Sequence, residues 1–161
     1  MTLSEIIRAI EDAAAVQPTV NMIVENDVFR LNSYADARYG VFVWTQGRHR
    51  GDMQDDFLRY SFTLFYIDRL RNDVANQVEV QSVGMSTIAN VLNILRDQGI
   101  EPETFEYTTF NQRFSDECAG VFCSVILIAD LDTVCSETGD AEIYAPGGWE
   151  QAAEGVIVRK F

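Results

Sequence analysis

Residues 57–99 read FLRYSFTLFYIDRLRNDVANQVEVQSVGMSTIANVLNILRDQG, a long aromatic strand, a polar corner and one amphipathic helix. In the strand, Tyr60, Phe62, Leu64 and Tyr66 alternate with Ser61, Thr63, Phe65 and Ile67, so period two gives one wholly apolar or aromatic face and one mixed face. Beyond the corner, Met85, Ile88, Val91, Leu92 and Leu95 recur at three- and four-residue spacing. They form one stripe opposite Ser86, Asn90, Asn93 and Asp97. Ser82 is the expected N-cap and Gly99 the expected terminator. A stripe of this size fits the apolar face of the strand, and the pair is expected to form the centre of a two-layer core.

Working toward the N-terminus, Tyr39–Thr45 (YGVFVWT) predicts a second strand, with Val41 and Val43 facing one way and Phe42 and Trp44 the other. An extended segment is expected over Asn21–Leu31. Residues 2–16 predict a helix with Leu3, Ile6, Ile7, Ile10 and Ala14 on the apolar side and Glu5, Arg8, Glu11 and Asp12 exposed. Thr2 or Ser4 is placed to cap it, and Pro18 closes the pattern. Toward the C-terminus, Phe105–Phe114 and Ala119–Ala129 predict two more strands, the latter apolar on both faces and therefore central or doubly covered. The fold class expected is α+β: an antiparallel sheet of about four to six strands backed by two helices over residues 1–130. Residues 131–161 then form a C-terminal extension that docks on a partner.

Composition bounds the function. The chain has 161 residues, 47% hydrophobic and 23% charged, which suits one globular domain. Its formal net charge of −13 repels phosphate backbones, so sequence-specific nucleic-acid binding is not expected. Solubility is the simplest reading of that charge; it is also what a passage needs if DNA is to slide through without sticking. No secretory signal or membrane-spanning apolar run is read. Cys118, Cys123 and Cys135 have no CxxC spacing, and Cys123 is expected to pack as a small hydrophobe in a reducing compartment. With His49 the single histidine, neither a zinc site nor a histidine-based triad is supported, and no metal or cofactor is expected. The corner Asp68–Val80 lacks the glycine and terminal glutamate of an EF-hand. Walker, GxGxxG, GxSxG and HExxH motifs are absent, and the acid pairs Asp55–Asp56 and Asp116–Glu117 read as solvated.

Residues 46–56 (QGRHRGDMQDD) predict an exposed hairpin arm carrying Arg48, His49 and Arg50 before a run of acids. Such a cluster is commonly just a solvated tip. In an acidic chain that self-associates, it also supplies the local complementarity a subunit contact needs. Arg48, His49, Arg50, Asp52 and, in the extension, Trp149 are therefore the candidate subunit contacts, and no catalytic residue is expected. The Arg50-Gly51-Asp52 triplet is not read as an adhesion motif.

The order helix, strand pair with charged arm, long strand, helix, two strands resembles the tail-terminator, tail-completion and neck-ring (head–tail connector) proteins of tailed bacteriophages, ring proteins of crAss-like phages included. The resemblance spans residues 2–130 and is carried by YSFTLFYIDRL at 60–70 followed by VQSVGMSTIANVLNIL at 80–95. It implies a structural virion protein of the neck or tail, assembled in the host cytoplasm into a closed ring, six- or twelve-fold. In such a ring the arm reaches a neighbouring subunit, the lumen is acidic and passes DNA without specific binding, and portal, neck or tail proteins lie above and below. The competing classes are a cytosolic adaptor that binds peptides at a sheet edge and a small-molecule-binding domain.

Overall fold

The computed structural model describes residues 1–28, 38–51, 54, 57–70, 76–111, 117–130 and 145–160. The first helix, α1 (Leu3–Ala15), starts where the chain supplies a capping box. The Thr2 hydroxyl accepts from the Glu5 amide at 3.2 Å, and the Glu5 carboxylate accepts from the Thr2 amide at 2.6 Å. These bonds hold the Glu5 carboxyl below its ordinary pKa. Of the expected stripe, Ile6, Ile10 and Ala14 are buried and Leu3 and Ile7 half-buried; Ala13 joins them in the core, and Glu11, expected on the exposed side, is only 8% exposed.

The strands are β1 (Met22–Glu25), β2 (Val41–Gln46), β3 (Arg50–Gly51), β4 (Phe57–Arg69), β5 (Glu101–Asn111), β6 (Cys118–Asp130), β7 (Trp149–Ala153) and β8 (Val156–Arg159). They form one eight-stranded sheet in the order β5-β6-β4-β2-β1-β8-β7, with β3 paired to β4 beside β2. All neighbours are antiparallel except β1 and β2. The chain is thus α+β, with two helices among the described residues and a mostly antiparallel sheet. Its eight described strands exceed the four to six expected from sequence. The surplus comes from the two-residue β3 and from the tail: β8 pairs with β1 from Met22↔Val158 to Val24↔Val156, and Val156, Ile157 and Val158 are buried. The described part of the extension therefore builds the sheet.

One interaction fixes the tail to the first helix. The Arg159 guanidinium donates to the backbone carbonyls of Ala15, Gln17 and Val20 at 3.1, 3.0 and 2.9 Å. A cation at the end of α1 also meets the negative pole of the helix dipole.

The second helix, α2 (Gln77–Asp97), begins five residues before the expected Ser82, with Asn76 at its N-cap and no side-chain cap bond. Its early start buries Val80 beside Leu70 and Ala119. The buried stripe runs Val80, Gly84, Thr87, Ile88, Val91, Leu92, Leu95, and Met85 is displaced to 39% exposure. Buried Thr87 is satisfied by the Thr19 hydroxyl at 2.7 Å. Gly99, at φ +83°, ends the helix in a Schellman motif: the Ile100 amide donates to Leu95 and the Gly99 amide to Arg96, each at 3.0 Å.

Both helices lie on the sheet face formed by Phe42, Trp44, Tyr60, Phe62, Leu64, Tyr66, Val121, Cys123, Val125 and Leu127. The opposite face is fully buried at Met22, Val24, Val41, Val43 and Ile67, with Tyr39 and Val28 packed against it. Toward β6 that cover thins, and Phe122, Ile126 and Ile128 are half-buried around an exposed Ser124.

Gly84 lets α2 approach the sheet. A Cβ there would lie 2.6 Å from Val121 Cγ1 and 2.9 Å from Tyr66 Cδ1. Alanine raises helix propensity by about 1 kcal/mol, but the clash with two core side chains outweighs it. We expect Gly84→Ala to lower stability by about 1–3 kcal/mol, read as a lower denaturant midpoint at unchanged slope; a stabilised variant would show that the helix is not seated this closely.

Candidate functional site: an assembly surface

The arm does not project freely. Where β2 ends, the Gly47 amide donates to the Ser61 carbonyl at 2.8 Å, and a Cβ on Gly47 would meet Ser61 Oγ at 2.7 Å, so the turn hugs β4. β3 then pairs Arg50 with Arg59 and Gly51 with Leu58. His49, between the Gly47 turn and β3, points to the helix-bearing face. Its ring lies 5.3 Å from that of Tyr60 and 5.6 Å from that of Phe62.

Hydrogen bonding sets the imidazole's state. The Ser61 amide can only donate, so Nδ1 accepts at 3.2 Å, and Nε2–H donates to Gln46 Oε1 at 3.2 Å. That is the neutral tautomer, and burial lowers the His49 pKa accordingly. His49 thus anchors the arm by packing and hydrogen bonds rather than presenting a cation to a neighbour. Arg48 and Arg50 are exposed. Asp52 lies outside the described residues.

Trp149, the other expected contact, is 5% exposed and part of the main core. Arg159 stacks over its indole at 5.1 Å, and its amide donates to the Pro146 carbonyl at 2.9 Å. The indole is therefore buried within its own chain, because β7 brings it over the sheet end rather than out to a partner.

Across the sheet from the arm lies β5, an edge strand of eleven residues. Pro102 sits near its start, where an edge tolerates a missing donor, and a register shift falls between Pro102 and Thr104. Glu101, Glu103 and Glu106 line it, and Glu103 forms an ion pair with Arg59 at 3.3 Å. Phe105 is 55% exposed, its ring 5.7 Å from that of Tyr107. Between this edge and α2 runs a groove of about 270 Å³, lined by Leu92, Arg96, Pro102, Phe105 and Tyr107 among others. Burial pushes the Tyr107 phenol up to about 12 and the Cys123 thiol to about 11, so neither is charged near neutrality. No group of three or more histidines, cysteines or acids among the described residues could hold a metal ion, and no described helix is long and apolar enough to cross a membrane.

One buried polar pair escaped the sequence reading. Trp44 Nε1 donates to Glu11 Oε1 at 3.1 Å inside the α1–sheet contact. Glu11 lies four residues after Ile7 and three before Ala14, within the apolar arc, which was the available signal. Desolvation raises its pKa to about 7, opposed by the Trp44 hydrogen bond and reinforced by Glu25 and Asp12.

No protein-family model matches this chain, and no curated protein does either.

The Glu11 shift has a definite sign. The folded pKa, about 7, lies above the ordinary 4.5, so this group's contribution to stability is full below pH 4.5 and is lost as pH rises through 7. The loss amounts to about 3 kcal/mol. Glu11→Gln keeps an acceptor for Trp44 and removes the ionisation. Chemical unfolding of both proteins from pH 4.5 to 8 is expected to show this loss in the wild type and not in the variant; parallel profiles would place Glu11 in solvent.

Proposed function

We propose that this chain is a structural virion protein of a tailed bacteriophage, assembling into a homo-oligomeric ring at the head–tail junction or tail end. Its role is to build a passage, with no catalytic step. The observation that carries the reading is the outer side of β5, along which no strand pairs among the described residues. Strand edges of this length invite pairing, and monomeric proteins blunt them with prolines, bulges, charges or a covering element. Here the proline, the register shift and two of the three acids fall within Glu101–Glu103, while Thr104–Asn111 (TFEYTTFN) is rich in strand-forming residues and carries the exposed Phe105. An edge left available in this way suits a subunit contact.

Two further features support the reading. The helix-backed, mostly antiparallel sheet is the architecture that the resemblance of residues 2–130 implies. The net charge of −13 would keep a ring's lumen from binding the DNA it passes. Portal, neck or tail proteins would be the axial neighbours.

The deciding measurement is the mass of the purified chain by light scattering over a range of concentration and salt. Six or more subunits, imaged as closed rings, is the expected result; a strict monomer throughout would return the peptide-binding adaptor class to the front. Phe105→Asp is expected to weaken association by about tenfold or more, the scale of an interface aromatic. Its thermal midpoint should change little, since the side chain is already half in water.

A further inference from the structure

We propose that His49 is a pH-operated latch: as the neutral imidazole it ties the arm, residues 46–51, to β4, and a proton taken up at Nδ1 releases it. The latch is intramolecular and works within one copy, whether or not copies assemble into a ring.

A bulge creates the need for it. Between the pairs Gln46↔Phe62 and Arg50↔Arg59, three arm residues, 47–49, oppose two of β4, Tyr60 and Ser61. The Gly47 amide still reaches the Ser61 carbonyl at 2.8 Å. The Ser61 amide, by contrast, donates to a side chain: His49 Nδ1, at 3.2 Å, stands where a regular ladder would supply a main-chain carbonyl. Unlike a carbonyl oxygen, a ring nitrogen in that place is also a base that titrates near neutrality. Nε2 donates to Gln46 Oε1 at 3.2 Å, and the ring packs on those of Tyr60 and Phe62, so the acceptor is held in place.

Protonation reverses the contact. Both ring nitrogens are then donors, and Nδ1–H points at the Ser61 N–H. The bond within the arm, from Nε2 to Gln46, survives; the tie across to β4 is the one lost. A half-buried imidazolium and a main-chain donor without an acceptor both regain hydration only if the ring turns out to water, which unlatches the arm.

The surroundings do not rescue the cation. Among the described residues, the charged and titratable groups on the neighbouring elements are Arg48 and Arg50 on the arm, Arg59 and the Tyr60 phenol on β4, and Glu5 and the N-terminal amine beside Tyr60. Arg59 is paired with Glu103, and the Glu5 carboxylate already accepts from the Thr2 amide. Burial holds the His49 pKa below its ordinary 6.5. A group shifted in this direction favours the closed arm fully above pH 6.5 and stops doing so as pH falls through its folded pKa. Glu11 acts in the opposite sense, stabilising the fold on acidification, so loosening at low pH is confined to the arm. Release frees Arg48 and Arg50 to move and leaves the Ser61 amide and carbonyl open to water or to another strand.

Hydrogen–deuterium exchange read by mass spectrometry from pH 8 to 4.5, corrected for intrinsic rates, tests this. In the wild type, peptides covering 46–61 are expected to exchange about tenfold faster at the acid end, the scale of one lost hydrogen bond, while those covering 118–130 do not. His49→Asn keeps a neutral acceptor near the Nδ1 position and should remove the pH dependence. His49→Phe keeps a ring and loses the acceptor, and should exchange fast at every pH. Circular dichroism with a thermal midpoint verifies that both variants fold. NMR of the imidazole, the single one in the chain, should give a midpoint below 6.5. Wild-type arm exchange that stays flat through that titration, an Asn variant that loosens as the wild type does, a Phe variant as protected as the wild type at pH 8, or a midpoint at or above 6.5 would each overturn the latch.

Discussion

The structure depends on the pairing of β4 with β6, which is continuous from Phe57↔Asp130 to Arg69↔Cys118. These two strands place Tyr60, Phe62, Leu64 and Tyr66 in one layer with Val121, Cys123, Val125 and Leu127. Both helices lie on that layer and bury their apolar stripes against it. The closeness of the fit is set by backbone: α2 comes near enough that position 84 has room for glycine alone. Interiors packed to this density respond to single methyl groups, so a helix seated this way has one position along the sheet.

Around that centre, polar groups fix what apolar packing leaves loose. Arg159 gathers three carbonyls at the end of α1 and lies over Trp149, joining the last strand to the first helix across 144 residues of chain. Glu11 is held under Trp44 in the same layer. Such buried polar contacts need defined geometry, so they specify register and orientation where hydrophobic contact alone would tolerate slippage. His49 does the same for the arm, turning a glycine-flanked loop into a fold-back against β4.

Much of this was legible in the chain as written. The alternation in 60–67, the strand at 119–129, Thr2 as one of two candidate caps, the stop at Gly99 and the exposure of Arg48 and Arg50 all follow from local periodicity and stereochemistry, which act over a few residues and need no partner. Other features were not local. Val156–Arg159 is too short to identify as a strand until β1 lies beside it, and Trp149 resembles an exposed contact until Arg159 covers it. Glu11 looks like one more solvated acid until Trp44 arrives from 33 residues away. The α2 stripe shifted from Met85 to Gly84 because sheet proximity, not helical period, decided which side could approach. By itself the sequence determined the class, α+β with helices backing a sheet, since residue pattern dictates element type; the parallel pairing of β1 with β2 departs from the antiparallel sheet expected. Only the tertiary structure decided how the described strands are ordered and registered in the sheet, because pairing is made between residues distant in the chain, whose proximity no local pattern records.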